Sequence, residues 1–123
     1  MKFNLTYKNK KINIKAKPCL DIFSQGVGLM FKSYQGSEIL AFILKKPRDL
    51  SITTYFCFFP ILILFIKNKK IISCKIAEPF ILKIKPRGKA DTIIEIPLNK
   101  KEYQRLENKN IMINDIRRLE KLR

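Results

Sequence analysis

The chain has 123 residues, of which 46% are apolar, enough for one hydrophobic core and too few for two ordinary domains, so residues 1–123 are read as a single domain. Only 4 Gly and 6 Pro are present among abundant Ile, Leu and Phe, which excludes collagen-like, low-complexity and globally disordered classes. Lys and Arg number 26 against 10 Asp and Glu, a net charge of +16 that points toward nucleic acid or an anionic surface, while the absence of His removes the commonest neutral-pH base and metal ligand.

In chain order, Phe3, Leu5 and Tyr7 alternate with polar neighbours as a half-exposed strand, and Asn9 and Lys10 form a turn. Ile12, Ile14 and Ala16 continue the alternation, giving a hairpin with a lysine-rich outer face that ends at Pro18. Asp21 to Gln25 reads as a short helical turn closed by Gly26, and Glu38 to Leu44 as a third strand buried on both sides. Lys45, Lys46, Pro47 and Arg48 make a basic corner.

A 17-residue uncharged stretch follows, Leu50 to Ile66. It lies at the lower edge of what a membrane-spanning helix needs, and Pro60 near its middle would break such a helix. Its Ile, Thr, Phe and Tyr content favours two buried strands, Ile52 to Phe59 and Ile61 to Lys67, so the chain is not expected to be an integral membrane protein. The N-terminus alternates apolar and polar residues and lacks the continuous apolar core of a signal peptide.

Asn68 and Lys69 form the tip of a second hairpin that returns through Ile71, Ile72, Cys74 and Ile76. Phe80, Leu82 and Ile84 alternate beyond Pro79, Pro86 to Gly88 is a turn by its chemistry, and Thr92 to Ile96 is a further strand. Asn99 and Glu102 have capping-box spacing at the head of a short helix, Lys100 to Glu107. In the tail, Ile111 and Ile113 alternate while Ile116, Leu119 and Leu122 recur at every third position; the tail is assigned to a strand. The expected fold is mainly β, a jelly-roll-like β-sandwich or barrel with one or two short helices.

The 26 basic residues divide into 20 Lys and 6 Arg, beside 20 Ile and 8 Asn, the residues that AT-rich codons supply, so a composition bias accounts for part of the charge. Bidentate phosphate recognition would favour Arg, whereas general attraction to polyanions is served by Lys. The polyanion-binding candidates are Lys69 and Lys70; Lys83, Lys85, Arg87 and Lys89; and Arg117 and Arg118, with Lys8, Lys10 and Lys11 at the first hairpin tip. Tyr7, Tyr34 and Tyr103 are the aromatics free to stack on bases. No basic amphipathic helix for a membrane surface is apparent.

No pair of carboxylates and no Ser or Cys beside a base suggests catalysis, so no catalytic residue is assigned and the chain is not expected to be an enzyme. Cys19, Cys57 and Cys74 form no CxxC motif, which leaves no metal site and suits free thiols in a reducing cytoplasm. Gly26 to Gly28 is no nucleotide fingerprint, and no cofactor is expected.

The run Gly28, Leu29, Met30, Phe31, Lys32 is similar to the GLMFR signature of the domain of unknown function 192 family. Ile52 to Ile61 (ITTYFCFFPI) resembles the aromatic stretch ending in Phe-Pro-Ile of its archaeal-type members, and Ile94 to Pro97 resembles its Leu-Glu-Leu-Pro strand end. Asn114 and Asp115 stand where the family often has Gly-Asp. The resemblance runs from about residue 10 to about residue 117 and implies a compact jelly-roll-like domain of a divergent member. The family's Arg near GLM, His before the aromatic run and Asp after the Pro are replaced here by Val27 or Gln25, Thr53 and Leu62, so a polar site in relatives would be thinned in this chain. Gly28, Lys32, Arg48 and Thr53 remain as candidates for contact with an anion or ligand. The expected protein is therefore a soluble, monomeric, non-enzymatic binding or interaction module; the alternative is a nucleic-acid-associated protein that uses its Lys and Arg clusters.

Overall fold

The chain is described from a computed structural model covering residues 1–19, 38–48, 59–79 and 88–122. The first hairpin pairs β1 (Lys2–Tyr7) with β2 (Lys10–Lys15), Phe3 opposite Ile14 and Leu5 opposite Ile12. Its two-residue turn is Lys8 and Asn9, both left-handed at φ 50° and 66°, one residue earlier than the alternation suggested. Positive φ at both positions matches the turn's twist to that of the strands.

Pro18 does not end the segment. β3 (Lys17–Cys19) runs through it on the outer edge of the sheet, where a missing N–H breaks no ladder, and pairs in parallel with β4 (Leu40–Arg48). β5 (Ile61–Lys67) and β6 (Lys70–Ala77) form the second hairpin, with Asn68 and Lys69 in the turn as expected, at φ 50° and 64°. β7 (Ala90–Pro97) lies between β5 and β4 and is antiparallel to both.

The seven strands form one mixed sheet in the order β2-β1-β6-β5-β7-β4-β3, curved into a half-barrel. Two of the neighbour pairs, β1 with β6 and β3 with β4, are parallel. The fold is thus mainly β with two short helices.

Alternation divides the central strands between two apolar layers. Leu62, Leu64 and Ile66 of β5 join Ile94 and Ile96 of β7 on one face, and Ile61, Ile63 and Phe65 join Leu40, Phe42 and Ile93 on the other. All six β5 side chains from Ile61 to Ile66 are buried, so the last third of the uncharged run is a strand covered on both faces. No helix among the described residues is long and apolar enough to cross a membrane. The positions from Leu50 to Phe58, which include the first of the two strands read from that run, lie outside the described residues, as do the helical turn at 21–25 and the strand at 80–84.

Two helices cover the first face. α1 (Lys100–Leu106) starts with the expected capping box: Asn99 Oδ1 accepts from the Glu102 N–H at 2.8 Å, and Glu102 Oε1 from the Asn99 N–H at 2.9 Å. The reciprocal bonds account for Glu102, one of two buried acidic residues among those described. The tail is a helix, α2 (Ile113–Lys121), rather than a strand. Ile113, Ile116 and Leu119 form one buried stripe at helical spacing, whereas Ile111, which suggested alternation, belongs to the preceding loop. Asp115 accepts from the Met112 N–H at 2.9 Å and closes the helix start.

Candidate binding surface

Among the described residues the basic clusters are spread over separate parts of the fold. Register places Lys67, Lys69, Lys70 and Lys89 at one end of the sheet, with the backbone of Arg48 opposite Ala90. An acid stands among them, since Asp91 accepts from the Asn68 N–H at 2.9 Å. Arg117 and Arg118 lie elsewhere, on the exposed side of α2, and Arg117 donates to the Lys11 carbonyl at 2.8 Å, tying α2 to β2. α2 is the basic amphipathic helix that the strand assignment concealed, but its apolar stripe is committed to the core. Gly28, Lys32, Thr53, Lys83, Lys85 and Arg87 lie outside the described residues, as does the Arg48 side chain.

A different feature arises from the offset between β1 and β6. The two pair only at Thr6 and Lys70, where the Thr6 N–H donates to the Lys69 carbonyl at 2.9 Å. β1 stops at Tyr7 while β6 runs on to Ala77, so beyond Lys70 the edge of β6 facing away from β5 has no strand partner among the described residues. A groove follows this edge. Ser73, Cys74, Lys75 and Ile76 line it on one side, Tyr7 and Lys8 close one end, and the loop from Asn108 to Ile111 forms the opposite wall.

The Tyr7 hydroxyl fixes that wall by donating to the Ile111 carbonyl at 2.6 Å, and the Lys8 ammonium sits over the Tyr7 ring, 5.1 Å from its centre. Tyr7 is therefore not free to stack on a base. Tyr103 is likewise engaged, donating to Glu78, and Tyr34 lies outside the described residues. Lys8, Lys75 and Lys109 all line the groove, and no carboxylate among the described residues does. Lys109 is paired with Asp115 at 3.0 Å, whereas Lys8 and Lys75 have no acidic partner among the described residues.

Burial, with the neighbouring Cys74 adding to it, raises the Tyr7 hydroxyl above its ordinary range. Burial also pushes the free Cys74 thiol up to about 11, so it stays protonated and a poor nucleophile at neutral pH. Burial alone would raise Asp115, but the Met112 N–H and the Lys109 ammonium outweigh it and hold the carboxyl below its usual value. Away from the groove, Glu95 lies on the β7 face that carries Ile93, and burial raises it to about 7. No group of three or more His, Cys, Asp or Glu among the described residues could hold a metal ion.

Sequence reasoning singled out Lys8 and Tyr7 but not Lys75 or Lys109, because only the β1–β6 offset brings them together. These elements define a mainly β fold with a lysine-lined strand edge that is open among the described residues. Its fold is similar to the crystal structure of a protein of unknown function from Novosphingobium aromaticivorans, with a TM-score of 0.67 and 19% identity over 88% of this chain and 79% of that one. It is also similar to that of a candidate transcription regulator from Sinorhizobium meliloti, with a TM-score of 0.65 and 20% identity over 84% of this chain and 81% of that one. No protein-family model and no curated protein matches the chain.

Proposed function

We propose that this protein is a soluble, non-enzymatic interaction module that binds an acidic partner in the groove beside β6. The observation that carries the reading is the groove's lining among the described residues: three lysines, two of them without an acidic partner there, and no carboxylate. Placing like charges around a concave, partly apolar surface raises the local potential and favours an anionic occupant. A monomeric, cytoplasmic protein of the domain of unknown function 192 family is part of the same reading, supported by the GLMFK, aromatic and IEIP blocks; a jelly-roll-like form rests on that resemblance alone.

The test is fluorescence anisotropy with labelled polyglutamate, comparing the unmodified protein with the Lys8→Glu/Lys75→Glu double variant. Binding that weakens with salt and is lost in the double variant is expected. Binding that the double variant retains in full would overturn the assignment to this groove.

A second reading, nucleic-acid binding, is favoured by Lys67, Lys69, Lys70 and Lys89 sharing one end of the sheet, and is in keeping with the candidate transcription regulator among the structural neighbours. It predicts binding of single-stranded DNA or RNA that falls steeply with salt, shows little sequence preference and is abolished by Lys69→Glu/Lys89→Glu.

A further inference from the structure

We infer that the occupant of the groove is an extended acidic peptide, added to the sheet as a strand along β6. The inference rests on the reading of the groove as a binding site for an acidic partner and names the form that partner takes.

Three observations lead to it. First, β6 pairs with β5 on both sides of a bulge at Ile72 but with β1 only at Lys70, so alternate N–H and C=O groups from Ile72 to Ile76 face the groove with no strand to meet them among the described residues. Such a row is complementary to polypeptide backbone, and pairing with it is the general mode of strand addition. Nucleic acid presents no matching row of donors and acceptors. Second, the opposite wall carries Asn108 and Asn110, both exposed and neither engaged in a hydrogen bond among the described residues. Their amides are placed to meet the outer edge of an inserted strand, which would otherwise trade one open edge for another. Third, the ends of the site are chemically defined. Lys8 closes the end at Tyr7, and Lys75 is an exposed residue of β6 itself.

A lysine on an open edge normally guards against pairing with any passing strand, since a neutral strand would have to cover the charge. An acidic strand reverses that effect and turns the guard into a contact. The same logic disfavours a second copy of this chain, because two molecules of net charge +16 repel. The open edge from Ile72 to Ile76 spans about 16 Å at ~3.3 Å per residue, so the site takes a segment of about five residues.

The probe is an acetylated, amidated peptide of about seven residues in which Glu alternates with Val, long enough to overrun the open edge. Its control carries N-methyl groups on alternate backbone nitrogens, which removes donors from one edge while leaving the protein unaltered. Polyglutamate serves as the second ligand. The peptide should slow amide exchange at Ser73 to Ile76, N-methylation of the pairing edge should weaken binding by about tenfold or more, and Lys75→Glu should weaken it by a similar factor. If polyglutamate binds in a salt-dependent way but N-methylation has no effect, or the protected amides lie elsewhere, strand addition is overturned and the acidic-partner reading stands. If neither ligand binds at low salt, both fall together.

Discussion

Replacing Glu95 by Gln should remove most of the pH dependence of folding between pH 4.5 and about 7. Glu95 pairs with Ile63 on one side and Leu40 on the other, and alternation puts its side chain on the apolar face formed by Ile61, Phe65 and Ile93. It has no hydrogen-bond partner among the described residues, and burial raises its carboxyl from 4.5 to about 7. The neutral acid is therefore the form the folded state prefers. Between those values the native chain holds a proton that the unfolded chain releases, so stability falls as pH rises. The contribution is complete below pH 4.5 and lost above about 7. The shift corresponds to about 3 kcal/mol, or a fall of roughly 10 °C in melting temperature for a chain of this size. Gln keeps the shape and cannot ionise. Urea unfolding from pH 4 to pH 9 should show the stability of the unmodified protein declining relative to Glu95→Gln across this window. Parallel curves would refute the reasoning, because they would mean that the carboxylate is solvated in the native state.

Three further substitutions test local structure. Ile116→Ala should cost about 2–5 kcal/mol in denaturant unfolding because Ile116 is fully buried in the α2 stripe; a strand that turns Ile111 and Ile113 inward would leave it exposed and the change nearly silent. Asn99→Ala should cost about 1 kcal/mol by removing the acceptor for the Glu102 N–H, whereas Asn99→Ser should be close to neutral in the same assay. Lys69→Gly should stabilise by about 0.5–1 kcal/mol, since Lys69 holds φ 64° in the hairpin turn where glycine has no steric penalty; a loss of stability in thermal melts would contradict that turn geometry.

What could be read from the sequence followed the range of the signal. The strands of the first hairpin are local and were visible in the alternation of Phe3, Leu5, Ile12 and Ile14, the tip of the second in Asn68 and Lys69, and α1 in the Asn99–Glu102 spacing. The first turn was displaced by one residue because Lys8-Asn9 lacks the Asn-Gly pair that marks such turns. The tail was misassigned because Ile111 and Ile113 mimic a strand across a helix boundary, although Ile113, Ile116 and Leu119 already carried the helical period. Pro18 punctuates a strand only when both of its edges are paired, and edge position is a property of the whole sheet. The parallel contact of β1 with β6 joins Thr6 to Lys70 and has no local signature, so the open edge it creates and the meeting of Lys8, Lys75 and Lys109 there were invisible in the sequence.

If the groove beside β6 selects acidic partners, a small part of the basic surface does the work of the whole. Site-resolved amide NMR of the isotope-labelled protein during titration with polyglutamate tests it most directly. Shifts should be concentrated at Lys8, Ser73 to Ile76 and Asn108 to Ile111, and absent in Lys8→Glu/Lys75→Glu. Shifts of equal size at every lysine-bearing turn, Lys69 and Lys89 included, and undiminished in the double variant, would contradict it.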